Sequence, residues 1–534
     1  MFRYATDPYR ILKGQMDPQT IHKRRWTILY VLVVCLLVVV LDNTVLNVAL
    51  KTIADPREGL GASQGQLEWA INSYTLVFAG LLFTFGVLGD RIGRKRMLII
   101  GMALFGLSSL VSSYAQSPDQ LILARAAMGL GGAAVMPQTL SVIANVFEPE
   151  ERGRAIGVWA GAVGVAIALG PILGGLLLDH FWWGSVFLIN VPIVIVGVIA
   201  IALVVPESRG RHMKIDFGGV LLSIAGLVLV TYGIIEGGEK AAVFVPQVYG
   251  PVLAGVALLA VFAWYETRIE HPSLNVRLFR DGRLSASVGA IALVFFALGG
   301  VVLFISLYVQ SVRGYSPLGA GLLTIPLAAG QLLVAPRSAR LVSRYGARRV
   351  AATGLTMVAA ALLSYHVTAT VDSPIWLLEI TFFVQGAGMG MVMPPATTAV
   401  MSVLPREQAG SGSAINNIAR QVAVALGVAV LGSLVTSIYR TGMKPHLTAL
   451  PASLRGAASE SIGATAGVAD KLGPAGRALM GPAHESFVHA MHVTSAISSA
   501  VALLGAFVVL RWMPGKSPEE SFEVSTEERE PIEV

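Results

Sequence analysis

The sequence predicts an all-α integral membrane protein of about fourteen spanning helices, and three observations lead there. The chain has 534 residues, 54% hydrophobic and only 13% charged, with a mean hydropathy of +0.68. That is far more apolar than an ordinary soluble domain. Apolar windows of about 20 residues, long enough to cross the hydrocarbon core of a bilayer, recur along the chain. The loops between them alternate in charge, with basic clusters on every second loop, as the positive-inside rule requires.

Taken in order, the windows cover 26–50, 67–89, 97–115, 120–141, 154–177, 184–205, 217–235 and 247–265, then 286–310, 317–341, 349–369, 374–399, 411–437 and 487–511. About 25 polar residues precede the first window, which is too long for a signal-peptide core, so it is expected to remain as a helix. The loops "DRIGRKR", "PEERGR", "ESRGRHMK", "RLFRDGR" and "SRYGARR" all fall on one side. That side is expected to be cytoplasmic and to hold both termini. Residues 438–486 read as a long external loop of small and polar residues. The acidic tail 513–534 has no apolar surface to bury and is expected to be disordered. The formal charge of +7 is spread over short loops, which argues against a nucleic-acid partner. The single cysteine, Cys35, excludes a disulfide framework and reads as packing.

The chain also repeats itself. "DRIGRKR" (90–96) matches "SRYGARR" (343–349), and "GLGGAAVMPQT" (129–139) matches "GAGMGMVMPPAT" (386–397). These pairs map the third window onto the eleventh and the fourth onto the twelfth. Two six-helix units, 26–205 and 286–512, with two helices inserted in 206–285, account for that offset. Such repeats are typical of secondary transporters, whose substrate sites lie near the midplane between two bundles.

"GVLGDRIGRKRM" (86–97) is the most specific stretch: Gly86, Gly89 and Gly93 permit close approach and a tight turn, while Asp90, Arg91 and Arg94 sit at the membrane boundary. It resembles the signature between the second and third helices of the major facilitator superfamily, where it governs the conformational switch. "LILARAAMGLGGAA" (121–134) resembles the fourth-helix motif, with Arg125 as its arginine and Met128 where Gln is common. "GVWAGAVGVAIALGPILGG" (157–175) resembles the fifth-helix antiporter motif, with Gly170, Pro171, Gly174 and Gly175 as a bendable hinge. "LDNTVLNVAL" (41–50), "WWGSVFLINVP" (182–192) and "GYSPLGAGLLTIP" (314–326) are similar to the fourteen-helix drug:proton antiporters, so the likeness spans about residues 26 to 511. The resemblance implies the major facilitator fold and proton-coupled multidrug efflux by alternating access.

Asp42 is the residue that demands an explanation, because a carboxylate at the centre of a spanning helix costs about 2.5 to 3.5 kcal/mol on insertion scales. At 1.5 Å per residue it lies roughly 12 Å from the external end of its helix, and Arg125 roughly 9 Å from that of its own. The shared depth makes the two candidate partners, direct or through water. Asn43 and Asn47, spaced i and i+4, are expected to widen the polar stripe beside Asp42. A carboxyl whose hydration and distance to Arg125 change during rocking would load and release a proton. A permanently ionised structural pair is the other reading.

Glu379 is a second candidate for proton or cation binding. Asn72, Asn416, Asn417 and Arg420 are candidate substrate contacts. Glu236, His489 and His492 read as interfacial. Many multidrug members carry an acid where this chain has Asn72. With no second-helix acid nearby, Asp42 would serve proton and substrate in turn, favouring a neutral-to-monocation exporter.

No enzyme motif survives inspection. "GASQG" (61–65) lacks the strand-to-helix elbow of a hydrolase, "PGKS" (514–517) lacks the upstream Gly of a phosphate loop, and "HESFVH" (484–489) is one residue too long for a zinc motif. The expected protein is a monomer in the plasma membrane that handles a small molecule and protons, uses no cofactor or metal, and draws on the proton gradient. A dedicated exporter of an endogenous metabolite or lipid is the second reading. A non-transporting sensor or scaffold is the third.

Overall fold

A computed structural model describes residues 18–210, 216–240, 245–269, 276–403, 409–448 and 450–513. The acidic tail beyond Met513 and residues 1–17 lie outside the described residues. Among the described residues fourteen long helices follow one another: α1 Pro18–Ala54, α2 Gln64–Ile92, α3 Arg94–Ser113, α4 Pro118–Val146, α5 Pro149–His180, α6 Ser185–Val204 and α7 Phe217–Lys240. The rest are α8 Pro246–Glu266, α9 Gly282–Leu307, α10 Ile325–Tyr345, α11 Ala347–Thr368, α12 Ile375–Val403, α13 Ala409–Met443 and α14 Met480–Trp512. Thirteen of the spans are long and apolar enough to cross a membrane among the described residues, and α5, at 32 residues, is the remaining long helix. The fold is all-helical, as expected, and the protein is a multi-pass membrane protein.

Local chemistry starts and stops these helices close to the windows, with the largest differences, up to eight residues, at the starts of α1, α10 and α14. A capping box opens α2: Ser63 Oγ accepts from the Gln66 N–H at 3.2 Å, and Gln66 Oε1 accepts from the Ser63 N–H at 3.0 Å. The turns between α2 and α3 and between α10 and α11 each rest on one glycine with positive φ, Gly93 at +119° and Gly346 at +82°. These are the glycines of the two matching basic loops, so the repeat extends to backbone conformation.

Packing shows the same repeat. Within 26–205, α2 and α3 pack on α4, α1 packs on α5 and α6, and α3 on α6; eight helices later, α10 and α11 pack on α12, α9 on α13 and α14, and α11 on α14. The two bundles meet along α2 with α13 and along α5 with the α10 entry, the short helix Pro317–Leu322, a pairing the same offset exchanges. The inserted helices pair with each other, and α7 also lies against α2 and α13.

Hydrogen bonds join the bundles at the end of the molecule opposite the start of α1 and the end of α14. Ser306 Oγ donates to the Asn47 carbonyl at 2.6 Å, Gln310 Nε2 to the Val48 carbonyl at 3.0 Å, and Lys51 Nζ to the Gln310 carbonyl at 2.7 Å. Residues 438–486 differ from the expected open loop. α13 runs on to Met443, α14 begins at Met480, and between them lie short helices at Ala452–Glu460, Ile462–Leu472 and Pro474–Arg477. Ala458, Ile462, Val468 and Ala469 are buried, so the segment is a packed cap. Its Asp470 meets Arg57 of the α1–α2 turn at 3.3 Å.

On the other side of the junction the backbones touch. A Cβ added at Gly321 would lie 2.2 Å from the Pro171 carbonyl oxygen of α5, and one at Gly175 would lie 2.4 Å from the Leu318 Cα. Backbone cannot yield as a flexible side chain can. Gly321→Val is therefore expected to lower stability by about 1–3 kcal/mol through overpacking, read as a lower thermal midpoint of the purified protein in detergent; an unchanged midpoint would mean that the close approach is not required.

Candidate functional site

Asp42 lies about two-thirds of the way along α1 and Arg125 on α4, and both are buried, at 2% and 0% exposure. The Arg125 Nη1 donates directly to Asp42 Oδ2. The other carboxylate oxygen, Oδ1, accepts from Asn190 Nδ2 of α6 at 3.1 Å. The same amide nitrogen lies 3.0 Å from Ser109 Oγ of α3, which donates to the Phe187 carbonyl at 2.8 Å. Arg125 Nε donates to the Ala70 carbonyl of α2 at 3.1 Å, and the guanidinium lies 4.6 Å from the Tyr74 ring centroid. Five of the six helices of the first bundle thus converge on one ion pair. Its Nη2 has no hydrogen-bond partner among the described residues, so the guanidinium keeps an unused donor.

The pair expected from depth alone is in contact. Asn43 and Asn47 share a face of α1 without bonding to either charge: Asn43 Nδ2 bonds back to the Val39 carbonyl at 3.5 Å, and Asn47 Nδ2 to the Asn43 carbonyl at 3.3 Å, while the Asn43 side chain neighbours Tyr74, whose ring lies against Arg125. Both are partly exposed, and the Asn47 carbonyl is taken by Ser306 of the other bundle. Glu379, also partly exposed, is on α12 of the second bundle, apart from Asp42. In that bundle Asn416 Nδ2 donates to Thr397 Oγ1 at 3.1 Å, and Arg420 Nη2 to Asn417 Oδ1 at 3.0 Å, with the Arg420 guanidinium 5.6 Å from the Phe295 ring. His492 stacks on His366 at 4.7 Å, and Glu236 pairs with Lys240 at 2.7 Å.

The basic turn is built as its glycines suggest. Asp90 Oδ1 accepts from Arg94 Nε at 2.8 Å, Arg94 Nη1 reaches the Ser141 carbonyl at 3.1 Å, and Arg91 is exposed. Gly89 faces Gln138 of α4, and Gly86 faces Pro137. The segment after α6 straps this turn, with the Gly210 N–H on the Asp90 carbonyl at 3.0 Å and the Lys95 N–H on Glu207 at 3.1 Å. On α5, Gly170 and Gly174 lie against Thr44 and Val45 of α1, while Gly175 and Pro171 meet the α10 entry.

Asn72 is fully buried, and neither of its amide atoms has a hydrogen-bond partner among the described residues. The expectation that α2 offers no acid near Asn72 needs correction. Glu68, one helical turn away, is 1% exposed. Sequence reading missed it, and it missed Asn190 and Ser109.

A buried ion pair is far costlier to break from one side than to remove whole. Arg125→Ala is expected to destabilise the protein by about 3–5 kcal/mol, and adding Asp42→Asn to that variant is expected to recover part of the loss. Thermal unfolding of the two variants in detergent measures the difference; a double variant less stable than Arg125→Ala would contradict the pairing.

Comparison with known proteins agrees with this architecture. The family model described as Major Facilitator Superfamily matches residues 32–428. The methyl viologen resistance protein SmvA of Salmonella typhimurium is 33% identical, over 92% of this chain and 98% of its own length. The multidrug efflux pump LfrA of Mycolicibacterium smegmatis is 34% identical, over 91% and 96%. The tetracenomycin C resistance and export protein of Streptomyces glaucescens is 30% identical, over 91% of each. Among solved structures, a bacterial homologue of the human lysosomal transporter Spinster superposes with a TM-score of 0.63 at 18% identity, covering 92% of this chain and 98% of that one. A D-xylose-proton symporter superposes with a TM-score of 0.60 at 14% identity, covering 92% and 98%. The chain belongs to the Major Facilitator Superfamily and is a membrane transporter rather than an enzyme.

Proposed function

We propose that the protein exports lipophilic compounds, monocations among them, from the cytoplasm in exchange for protons. The observation that carries the reading is the Asp42–Arg125 pair, a titratable acid sealed inside one bundle with a cationic partner. The names of the relatives support the efflux half, since they describe multidrug efflux and resistance to methyl viologen. The positive-inside rule puts the chain termini in the cytoplasm, so the joined end of the bundles faces outward.

On this reading the two bundles rock about the midplane, and substrate and proton bind the two states differently. Ionised, Asp42 holds Arg125 through a charge-assisted bond. Protonated, it loses that charge, and the Arg125 guanidinium becomes available to other acceptors; Asn190 and Ser109 keep the carboxyl positioned in both forms. Moving one charge across the membrane contributes about 2.3 kcal/mol per 100 mV, so one proton exchanged for a neutral substrate draws on potential and pH difference together, whereas one-for-one exchange with a monocation moves no net charge and draws on the pH difference alone. The Streptomyces relative, named for resistance to and export of one compound, favours a second reading, a dedicated exporter of an endogenous product.

The full-length protein in proteoliposomes under a pH gradient tests both. Methyl viologen, ethidium and a neutral lipophilic antibiotic are added in turn while internal pH is followed. Coupled proton movement with one or more probes, reduced by Asp42→Asn to the level of protein-free vesicles, is expected. Full coupling in a correctly folded Asp42→Asn variant would end the assignment of Asp42, and flux of a single chemical class would favour the dedicated exporter.

A further inference from the structure

Outside the Asp42 site, the most unusual charge within a span is Arg420, on the inner half of α13. An arginine inside a spanning helix is costly and marks a partner or a pathway. Arg125 meets that cost with a buried carboxylate. Arg420 has a neutral partner instead: its Nη2 donates to Asn417 Oδ1 at 3.0 Å, and its guanidinium lies 5.6 Å from the Phe295 ring of α9. A guanidinium carries five N–H donors, so most of its hydrogen-bonding capacity is unspent among the described residues.

The helices packed on α13 carry acids at other depths. Gly432 of α13 faces Glu68 of α2, Ala425 packs with Leu76 of α2 and Leu227 of α7, and Asn416 bonds Thr397 of α12 at 3.1 Å. Counted from these contacts at 1.5 Å per residue, Glu68, Asp90 and Glu379 lie roughly 18, 14 and 21 Å from Arg420 along the bundle. Asp216, just before α7, lies roughly 9 Å off by the same count; it accepts from the Gly219 N–H of the first turn of α7 at 2.8 Å. Glu236 pairs with Lys240, and Glu485 stands near the outer end of α14.

The side chain lies between α9 and α12, because Arg420 reaches Phe295 while Asn416, one turn before it, reaches Thr397. All four residues are partly exposed, so this face meets space that solvent enters. The bond between Ser306 of α9 and the Asn47 carbonyl of α1 sets the depth. Phe295 comes eleven residues before Ser306, and Asp42 five before Asn47. The Arg420 guanidinium therefore lies roughly 9 Å nearer the cytoplasm than Asp42, on the opposite bundle. Asn416 Oδ1 has no hydrogen-bond partner among the described residues. Since the Thr397 hydroxyl can donate as well as accept, that amide can turn over and present Nδ2 to a ligand held by Arg420.

We propose that Arg420, with Asn416 beside it, is an anion subsite of the transport cavity, and that the cargo includes lipophilic compounds bearing one carboxylate. The proposal rests on the export reading above and adds a cargo class to it. The planar fork of the guanidinium matches a carboxylate through two parallel N–H···O bonds, and the Phe295 ring offers an apolar surface to the rest of the molecule. One positive charge among neutral amides balances a monoanion. A phosphate monoester, with about two negative charges at neutral pH, would keep one of them uncompensated.

The test measures binding at neutral pH to the full-length protein in lipid nanodiscs, with no gradient, so it is independent of transport. The probes share a pyrene body and a butyl chain and differ in the end group: pyrenebutyrate, pyrenebutanol and pyrenebutylamine. Protein-free nanodiscs give the membrane background. Saturable binding of pyrenebutyrate, tighter than that of the alcohol or the amine, is expected. Arg420→Gln is expected to weaken it about ten- to a hundredfold, the value of a hydrogen bond to a charged group, and to leave the alcohol unaffected. Arg420→Lys, which keeps the charge and loses the fork, is expected to fall between. Asn416→Asp keeps Arg420 and supplies it with a carboxylate at i,i+4; it is expected to compete with pyrenebutyrate while raising the thermal midpoint, and it decides the matter if Arg420→Gln does not fold. Wild-type protein that binds pyrenebutyrate no better than pyrenebutanol overturns the proposal, as does wild-type affinity for pyrenebutyrate in either Arg420→Gln or Asn416→Asp. Failure of proton exchange in the flux assay, with these affinities as expected, would instead count against the exchange reading alone.

Discussion

The first bundle is organised around the cost of one ion pair. Two charges removed from water need most of their remaining hydrogen-bonding capacity met, and meeting it here, with only Arg125 Nη2 left without a partner among the described residues, dictates where helices go. Arg125 requires the Ala70 carbonyl and the Tyr74 face, which hold α2 against α4; Asp42 requires Asn190, which brings α6 against α1; Asn190 in turn engages Ser109 on α3. Apolar packing alone cannot set these contacts in a bilayer, because lipid tails satisfy a leucine surface as well as another helix does. Only α5 of the six is left out, and it is tied to α1 by glycine-mediated close approach.

The second bundle repeats the packing without the charge. Counting back from the shared "VMP", Arg125 corresponds to Phe382, which meets Tyr365 edge-on at 6.5 Å, and the nearby polar contact is the neutral bond from Tyr365 to Gln385 at 2.8 Å. The halves are thus alike in backbone and unlike in electrostatics.

How much of this was legible in the sequence follows from what each feature depends on. Spans and their repeat were legible because hydropathy and turn glycines are local properties, and Gly93 and Gly346 mark their turns without reference to anything distant. Asp42 and Arg125 could be paired because depth along a helix follows from counting residues. Asn190 was not found, since it sits near the start of a strongly apolar helix and reads as a boundary residue; only the direction of α6 relative to α1 reveals what it holds. Glu68 escaped for a similar reason. It lies four residues into α2, where an acid looks interfacial, and its burial depends on α13 and α7, far away in sequence. The cap within 438–486 was hidden by its Gly and Pro content, which suits short helices joined by tight turns as well as it suits a loop.

Placement decides what each acid can do in a cycle of rocking. A carboxyl inside a bundle that moves as a body keeps its neighbours, so Asp42 and Arg125 change only if water or substrate reaches them from the central face. A carboxyl between bundles has no such constancy, because the surface opposite Glu68 belongs to the other body and leaves with it. Coupling export to proton entry requires that the proton alter the equilibrium between states, and a ligand does so only through interactions that differ between them.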